Sequence, residues 1–88
     1  MTREEALAEA RRLICEDRAA EYGDAAPMAE ALAARWSQWM GAPVAPWQVM
    51  GMLADLKLCR LARAGYAPDS GLDLIGYGAL MIETSEER

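Results

Sequence analysis

The sequence contains no histidine and no phenylalanine, and only two cysteines among its 88 residues. Without histidine, a zinc site would have to draw on Cys15, Cys59 and carboxylates alone, and the two cysteines lack the close spacing of metal-ligand pairs. Cys15 and Cys59 therefore read as reduced, inert thiols. Long apolar runs are also missing. No stretch approaches the ~20 residues needed to span a bilayer, and the N-terminal MTREEALAEARR lacks the apolar centre of a signal peptide, so a cytoplasmic protein with no membrane partner is expected. Basic residues are outnumbered, 9 Lys and Arg against 14 Asp and Glu, for a net charge of −5. That balance argues against sequence-independent nucleic-acid binding, which depends on a basic surface. Mononucleotides and proteins remain as partner classes. Strand-like alternation is absent throughout.

What is present is helix punctuation. Thr2 followed by Glu5 has the spacing of a capping box, and the Ala-, Glu-, Arg- and Leu-rich segment after it predicts a first helix over about residues 3–22, stopped by Gly23. Asp24 is placed to cap a second helix, about 25–40, with Pro27 in its first turn, where the missing N–H costs nothing, and Gly41 at its end. The short GAPVAP connection leads to a third helix, about 46–64, that Gly65 stops; Asp69 or Ser70 caps a fourth, about 70–83. The closing ETSEER reads as a solvated, frayed end. Residues 1–88 are expected to form a single all-α domain, and short connections favour an up-down four-helix bundle.

Charges extend the apolar stripes of these helices. At ~100° per residue, Leu7, Ala10 and Ile14 share a face of the first helix with Asp17, Arg18 and Glu21. On the third helix the arc Val49, Leu53, Leu56 continues through Lys57 and Arg60; on the fourth, Asp69 and Asp73 lead into Tyr77 and Leu80. In an up-down bundle these charges meet at one end, together with Tyr22 and Asp24, while Trp39, Trp47 and most aliphatic residues fill a hydrophobic core at the other. One reading of the charged end is a buried salt-bridge network, with Asp17 and Asp24 among its structural members, which fixes helix register without adding net stability. The other is a nucleotide pocket. Arg18, Lys57 and Arg60 would stabilise phosphate charge beside two helix N-termini, and Tyr22 or Tyr77 would stack on a base. Asp69 and Asp73, one turn apart, would share a Mg²⁺ ion with Glu21.

The segments DRAAEYGD, KLCR and DSGLDLIGYGAL resemble a small family of phage and prophage proteins, similar in appearance to the MazG-like all-α nucleotide pyrophosphatases and to phage nucleotide-modification-associated domains. The resemblance runs from about Leu7 to Glu83 and rests on Asp17, Arg18, Tyr22, Gly23, Asp24, Lys57, Arg60, Asp69, Ser70, Asp73, Gly76 and Tyr77. It implies a MazG-like bundle, a nucleotide or nucleotide-derived ligand, and Mg-dependent pyrophosphohydrolysis or sequestration of that ligand. The paired ExxE and ExxD motifs of the MazG-like enzymes are missing, and the third helix carries cations where those enzymes carry acids, so binding without turnover fits at least as well.

The third and fourth helices are apolar around nearly their full circumference, which predicts a homodimer formed through them. Met28, Met40, Met50, Met52 and Met81, and the tryptophans Trp36, Trp39 and Trp47, are expected to pack in the core or at that contact. Gly76 and Gly78 weaken the fourth helix by ~1 kcal/mol each relative to Ala, which a close approach of a neighbouring backbone would explain. The alternative from a different class is a non-enzymatic phage module that binds or inhibits a host or phage protein, its charged cluster purely structural.

Overall fold

Thr2 opens the first helix as its side chain predicts. In a computed structural model that describes residues 1–17 and 25–86, the Thr2 hydroxyl accepts the Glu5 N–H at 3.2 Å while the Glu5 carboxylate accepts the Thr2 N–H at 2.9 Å. Helix α1 follows over Arg3–Arg12. A π-helical turn, Leu13–Asp17, then continues the helix, and the remainder of the expected first helix, residues 18–22, lies outside the described residues. A π turn holds more residues than an α turn, and the 100° spacing stops applying there. Of the stripe read through Leu7, Ala10 and Ile14, Ala10 is buried and Ile14 half-buried, while Leu7, already within the regular part of α1, is exposed. Gly23 and the predicted Asp24 cap lie outside the described residues.

Helix α2 spans Ala25–Met40 and buries Ala26, Ala29 and Ala33, a small-residue stripe that lets its neighbours come close. Gly41 ends it at φ 69°, a left-handed conformation that glycine adopts without a Cβ penalty. Ser37 ties down the connection, its hydroxyl accepting the Val44 N–H at 2.8 Å and donating to the Ala33 carbonyl at 2.7 Å. Helix α3 runs over Pro46–Ala64, with Pro46 in the first turn and the Gln48 side-chain carbonyl accepting the Ala45 N–H at 2.8 Å. Gly65 closes it at φ 90°.

Helix α4 spans Pro68–Glu86. It runs further than expected, so the part of ETSEER within the described residues continues the helix: Thr84 is buried and its hydroxyl donates to the Leu80 carbonyl at 2.8 Å. Among the described residues there are four helices and no strand. None of them is long and apolar enough to cross a membrane.

The α3–α4 pair makes the largest contact; α1 packs on α4, and α2 on both α3 and α4. Two points set the register of the pair. Gly51, early in α3, faces the Met81 side chain late in α4, while Lys57 meets Asp73. The two helices therefore run antiparallel. Gly76 is where α1 crosses α4, since a Cβ there would lie 2.9 Å from Ile14 Cγ2. This is the close approach that a helical glycine at this position implied, although nothing lies within 4 Å of a Cβ placed at Gly78.

The core consists of Ala10, Ala26, Ala29, Ala33, Val49, Met50 and Leu72. A core end filled by Trp39 and Trp47 is not what forms. Trp39 is 83% exposed and Trp47 42%, and the buried positions of α2 are taken by the small residues Ala26, Ala29 and Ala33 instead. Met28, Met40 and Met52 are exposed as well, leaving Met50 as the buried methionine.

Candidate functional site

The register that opposes Lys57 to Asp73 also places a cavity at the end of the α3–α4 hairpin, beside α1. Its volume is about 640 Å³, and it is lined by Glu9 and Leu13 from the first helical segment, Lys57 and Arg60 from α3, and Asp69, Ser70, Leu72 and Asp73 from α4. Four of the site residues expected from helix spacing, Lys57, Arg60, Asp69 and Asp73, are thus brought together. Their shared environment follows from the antiparallel pairing, which sets the last turns of α3 beside the first turns of α4.

Within the cavity the charges are not equivalent. The Lys57 ammonium lies 2.9 Å from the Asp73 carboxylate, with side chains only 15% and 10% exposed. A pair this enclosed is costly to break, because the survivor is left charged in a poorly solvated place. Arg60 sits at the exposed rim and makes no ion pair among the described residues. Asp69 is exposed in the first turn of α4, a position where a carboxylate is favoured by the helix dipole with or without a ligand. Ser70 is buried, 8% exposed. Its N–H donates to the Ala67 carbonyl at 3.1 Å, but its hydroxyl makes no hydrogen bond among the described residues.

Glu9 is the charged cavity residue that spacing did not select. It is held by Arg12, whose guanidinium hydrogen-bonds its carboxylate and lowers its pKa below the ordinary glutamate value. The available signal was the three-residue step from Glu9 to Arg12, a common surface pair that points to no cavity by itself. Asp17 goes elsewhere. It is exposed and bonded to the same Arg12, because the π turn carries it off the stripe that was extrapolated through it. Tyr77 is half-buried on α4 and does not line the cavity. Arg18, Glu21, Tyr22 and Asp24 lie outside the described residues.

Over residues 5–85 the chain matches a family described as a domain of unknown function, DUF6378. The chain belongs to this family. The DUF6378 match runs through every element that lines the cavity. The chain is also 33% identical over 76 residues to the Gene 55 protein of Mycobacterium phage L5, an alignment covering 85% of this chain and 49% of that protein. It therefore spans about half the length of this curated relative. The expected likeness to phage proteins is supported by that match. No solved structure matches the DUF6378 chain.

A magnesium site can be tested against the donors. Among the described residues no three acidic or cysteine side chains are grouped so that they could hold a metal ion. Asp73 already faces the Lys57 ammonium at 2.9 Å, and a fixed cation there opposes a second one. Asp69 and Asp73 alone do not fit Mg²⁺, and the third expected ligand, Glu21, lies outside the described residues. The described part of the cavity is instead suited to an anionic or hydrogen-bonding group, through Arg60 and the Ser70 hydroxyl.

Proposed function

We propose that this DUF6378 protein is a small phage-type helical protein of the host cytoplasm that binds a nucleotide or nucleotide-derived phosphate ligand in the cavity between α1, α3 and α4. The observation that carries this reading is that Arg60, with no ion pair among the described residues, and the buried Ser70, with no hydroxyl partner among them, line the same cavity. Both donors open onto the cavity, where a ligand's oxygens can accept from them. In this reading Arg60 binds the phosphate, Ser70 donates to one of its oxygens, and the Lys57–Asp73 pair holds α3 against α4 and adds a positive potential. Arg18 and Tyr22 complete the ligand contacts, and Tyr77 supports them from α4. The bundle is MazG-like and self-associates through α3 and α4. Magnesium would enter with the ligand's own phosphates, and the described residues favour sequestration over pyrophosphohydrolysis, since they include no carboxylate cluster to activate a water.

A panel of nucleoside mono-, di- and triphosphates and their cyclic forms, screened by melting temperature with and without Mg²⁺, tests the proposal. A true ligand at a hundred times its Kd adds ~2.7 kcal/mol to stability. Arg60→Gln should abolish that stabilisation while leaving the melting temperature of the free protein unchanged. A panel that produces no shift, or shifts that survive Arg60→Gln, would remove the assignment.

The second reading is an interaction module for a host or phage protein, and the observation favouring it is the exposure of Trp39 and Met40 at the end of α2. Trp39→Ala would then abolish capture of that partner and leave nucleotide-dependent stabilisation untouched.

A further inference from the structure

The chain exposes more surface than its mass accounts for. Folded monomers of 9.6 kDa present roughly 5,100 Å², whereas this chain presents 6248 Å². The surplus, roughly 1,100 Å², exceeds the ~800 Å² that each partner buries in a standard stable interface. The radius of gyration, 13.6 Å, likewise exceeds the ~12 Å expected of a globule of this length. Among the described residues Val49 is the largest side chain that is completely buried. A single copy thus leaves surplus surface on the scale of one side of a protein interface, and large apolar side chains such as Leu56, Leu58 and Ile82 are exposed on it.

The surplus has a place in the fold. Helix α1 packs on α4 at Gly76 and α2 packs on α3 and α4, and the buried residues Val49 and Leu72 mark the covered side of the hairpin. Helical spacing sets Trp47 and Leu58 of α3 opposite Val49, and gathers Gly71, Gly78 and Ile82 of α4 on one face about 100° round from Leu72, the outer flank of the hairpin. Trp47, Leu58 and Ile82 are 42%, 52% and 61% exposed, and a Cβ added at Gly71 or Gly78 would meet nothing within 4 Å. By the same spacing Asp55 is the one charged residue near the middle of this side. An almost uncharged face is unsuited to a strongly basic or acidic partner and suits an equally uncharged one.

We infer that the outer face of the α3–α4 hairpin docks a second copy of this chain, the two hairpins meeting face to face about a two-fold axis. The occupant follows from the area and the face's own character: a two-fold contact places each patch on its own duplicate, so an uncharged patch is automatically matched, and one such interface covers the surplus on both chains at once. The open glycines allow the α4 helices to approach closely, which accounts for two residues that lower helix propensity where a Cβ would meet nothing in their own chain. This deepens the self-association part of the proposed function and is independent of ligand binding.

Sedimentation equilibrium of the ligand-free protein at tens of micromolar tests it, and nucleotide binding is measured separately so that either result can fail alone. The wild-type chain should have the mass of a dimer. Ile82→Glu and Leu58→Glu place a charge in the seam and should each give a monomer that retains its helical circular dichroism. Trp39→Glu, on α2, should remain dimeric. Should one seam variant fail to fold, the other decides. A monomeric wild-type chain overturns the inference, as does a dimer that survives the folded seam variants or is lost in Trp39→Glu.

Discussion

Lys57 and Asp73 show how a single pair serves the fold and the cavity at once. Their contact at 2.9 Å, with both side chains largely enclosed, makes each the compensation for the other's lost hydration. Asp73→Asn leaves the ammonium without its carboxylate and should destabilise the fold by roughly 3–5 kcal/mol in chemical denaturation, while Lys57→Met combined with Asp73→Leu should recover most of that loss. If Asp73→Asn instead held or raised stability, the carboxylate would belong to a hydrated ligand site and not to the frame. Gly76 is a residue of the opposite kind, important for what it lacks. Alanine there would raise helix propensity by ~1 kcal/mol, but its Cβ would stand 2.9 Å from Ile14 Cγ2, and a β-branched side chain has little freedom to turn away. The contact wins, so Gly76→Ala should cost about 1–2 kcal/mol, and Ile14→Ala in the same chain should remove the clash component, which a double-mutant cycle measures as a favourable coupling.

At the scale of the element, α1 is the helix whose ends depend most on polar contacts. Its first turn is closed by the reciprocal Thr2–Glu5 bonds. Accepting the Thr2 backbone N–H, and then the Thr2 side-chain bond, holds the Glu5 carboxyl below the ordinary glutamate range. A carboxyl whose folded pKa is lowered contributes stability that is complete above its unfolded pKa and is lost as pH falls through its folded value. Acidification should therefore fray the first turn of α1 before it disturbs α3 and α4, with amide protection of Glu5 and Ala6 falling first by NMR. Thr2→Ala should move the Glu5 titration upward toward the ordinary value; an unchanged titration would mean that the cap does not form in solution. The other end of α1 changes to a π turn at Leu13. Turns of this kind interrupt the 3.6-residue pattern and occur often at functional sites, and here the turn begins at a residue that lines the cavity.

At the scale of the whole molecule, the arrangement is an α3–α4 hairpin with α1 and α2 laid against it, closing the cavity on one side and leaving the apolar face of the hairpin on the other. A core this dependent on alanine gives a single copy little hydrophobic stabilisation, so if the hairpin face pairs as inferred, self-association and folding are linked by mass action. The melting temperature should rise with protein concentration and the dependence should disappear in Ile82→Glu, which differential scanning calorimetry at two concentrations checks. A melting temperature independent of concentration would mean that each chain folds and melts alone.

The sequence by itself determined whatever local chemistry decides. The Thr2 and Glu5 box, the glycine stops at 41 and 65 and the proline at the head of α3 each act within a turn or two of chain, and each is where its residue type calls for it. Charge placement was legible for the same reason on α3 and α4, whose regular spacing carried Lys57, Arg60, Asp69 and Asp73 to one end. Only the tertiary structure decided the rest. The π turn that diverts Asp17 to Arg12 forms where α1 meets α4 at Ile14, a long-range contact that spacing along one helix cannot express. Glu9 and Ser70 became cavity residues because of what stands opposite them. Trp39 and Trp47, apolar and large, were assigned to a core by their chemistry and lie largely outside it, since burial depends on which face a neighbouring helix covers as well as on affinity for water.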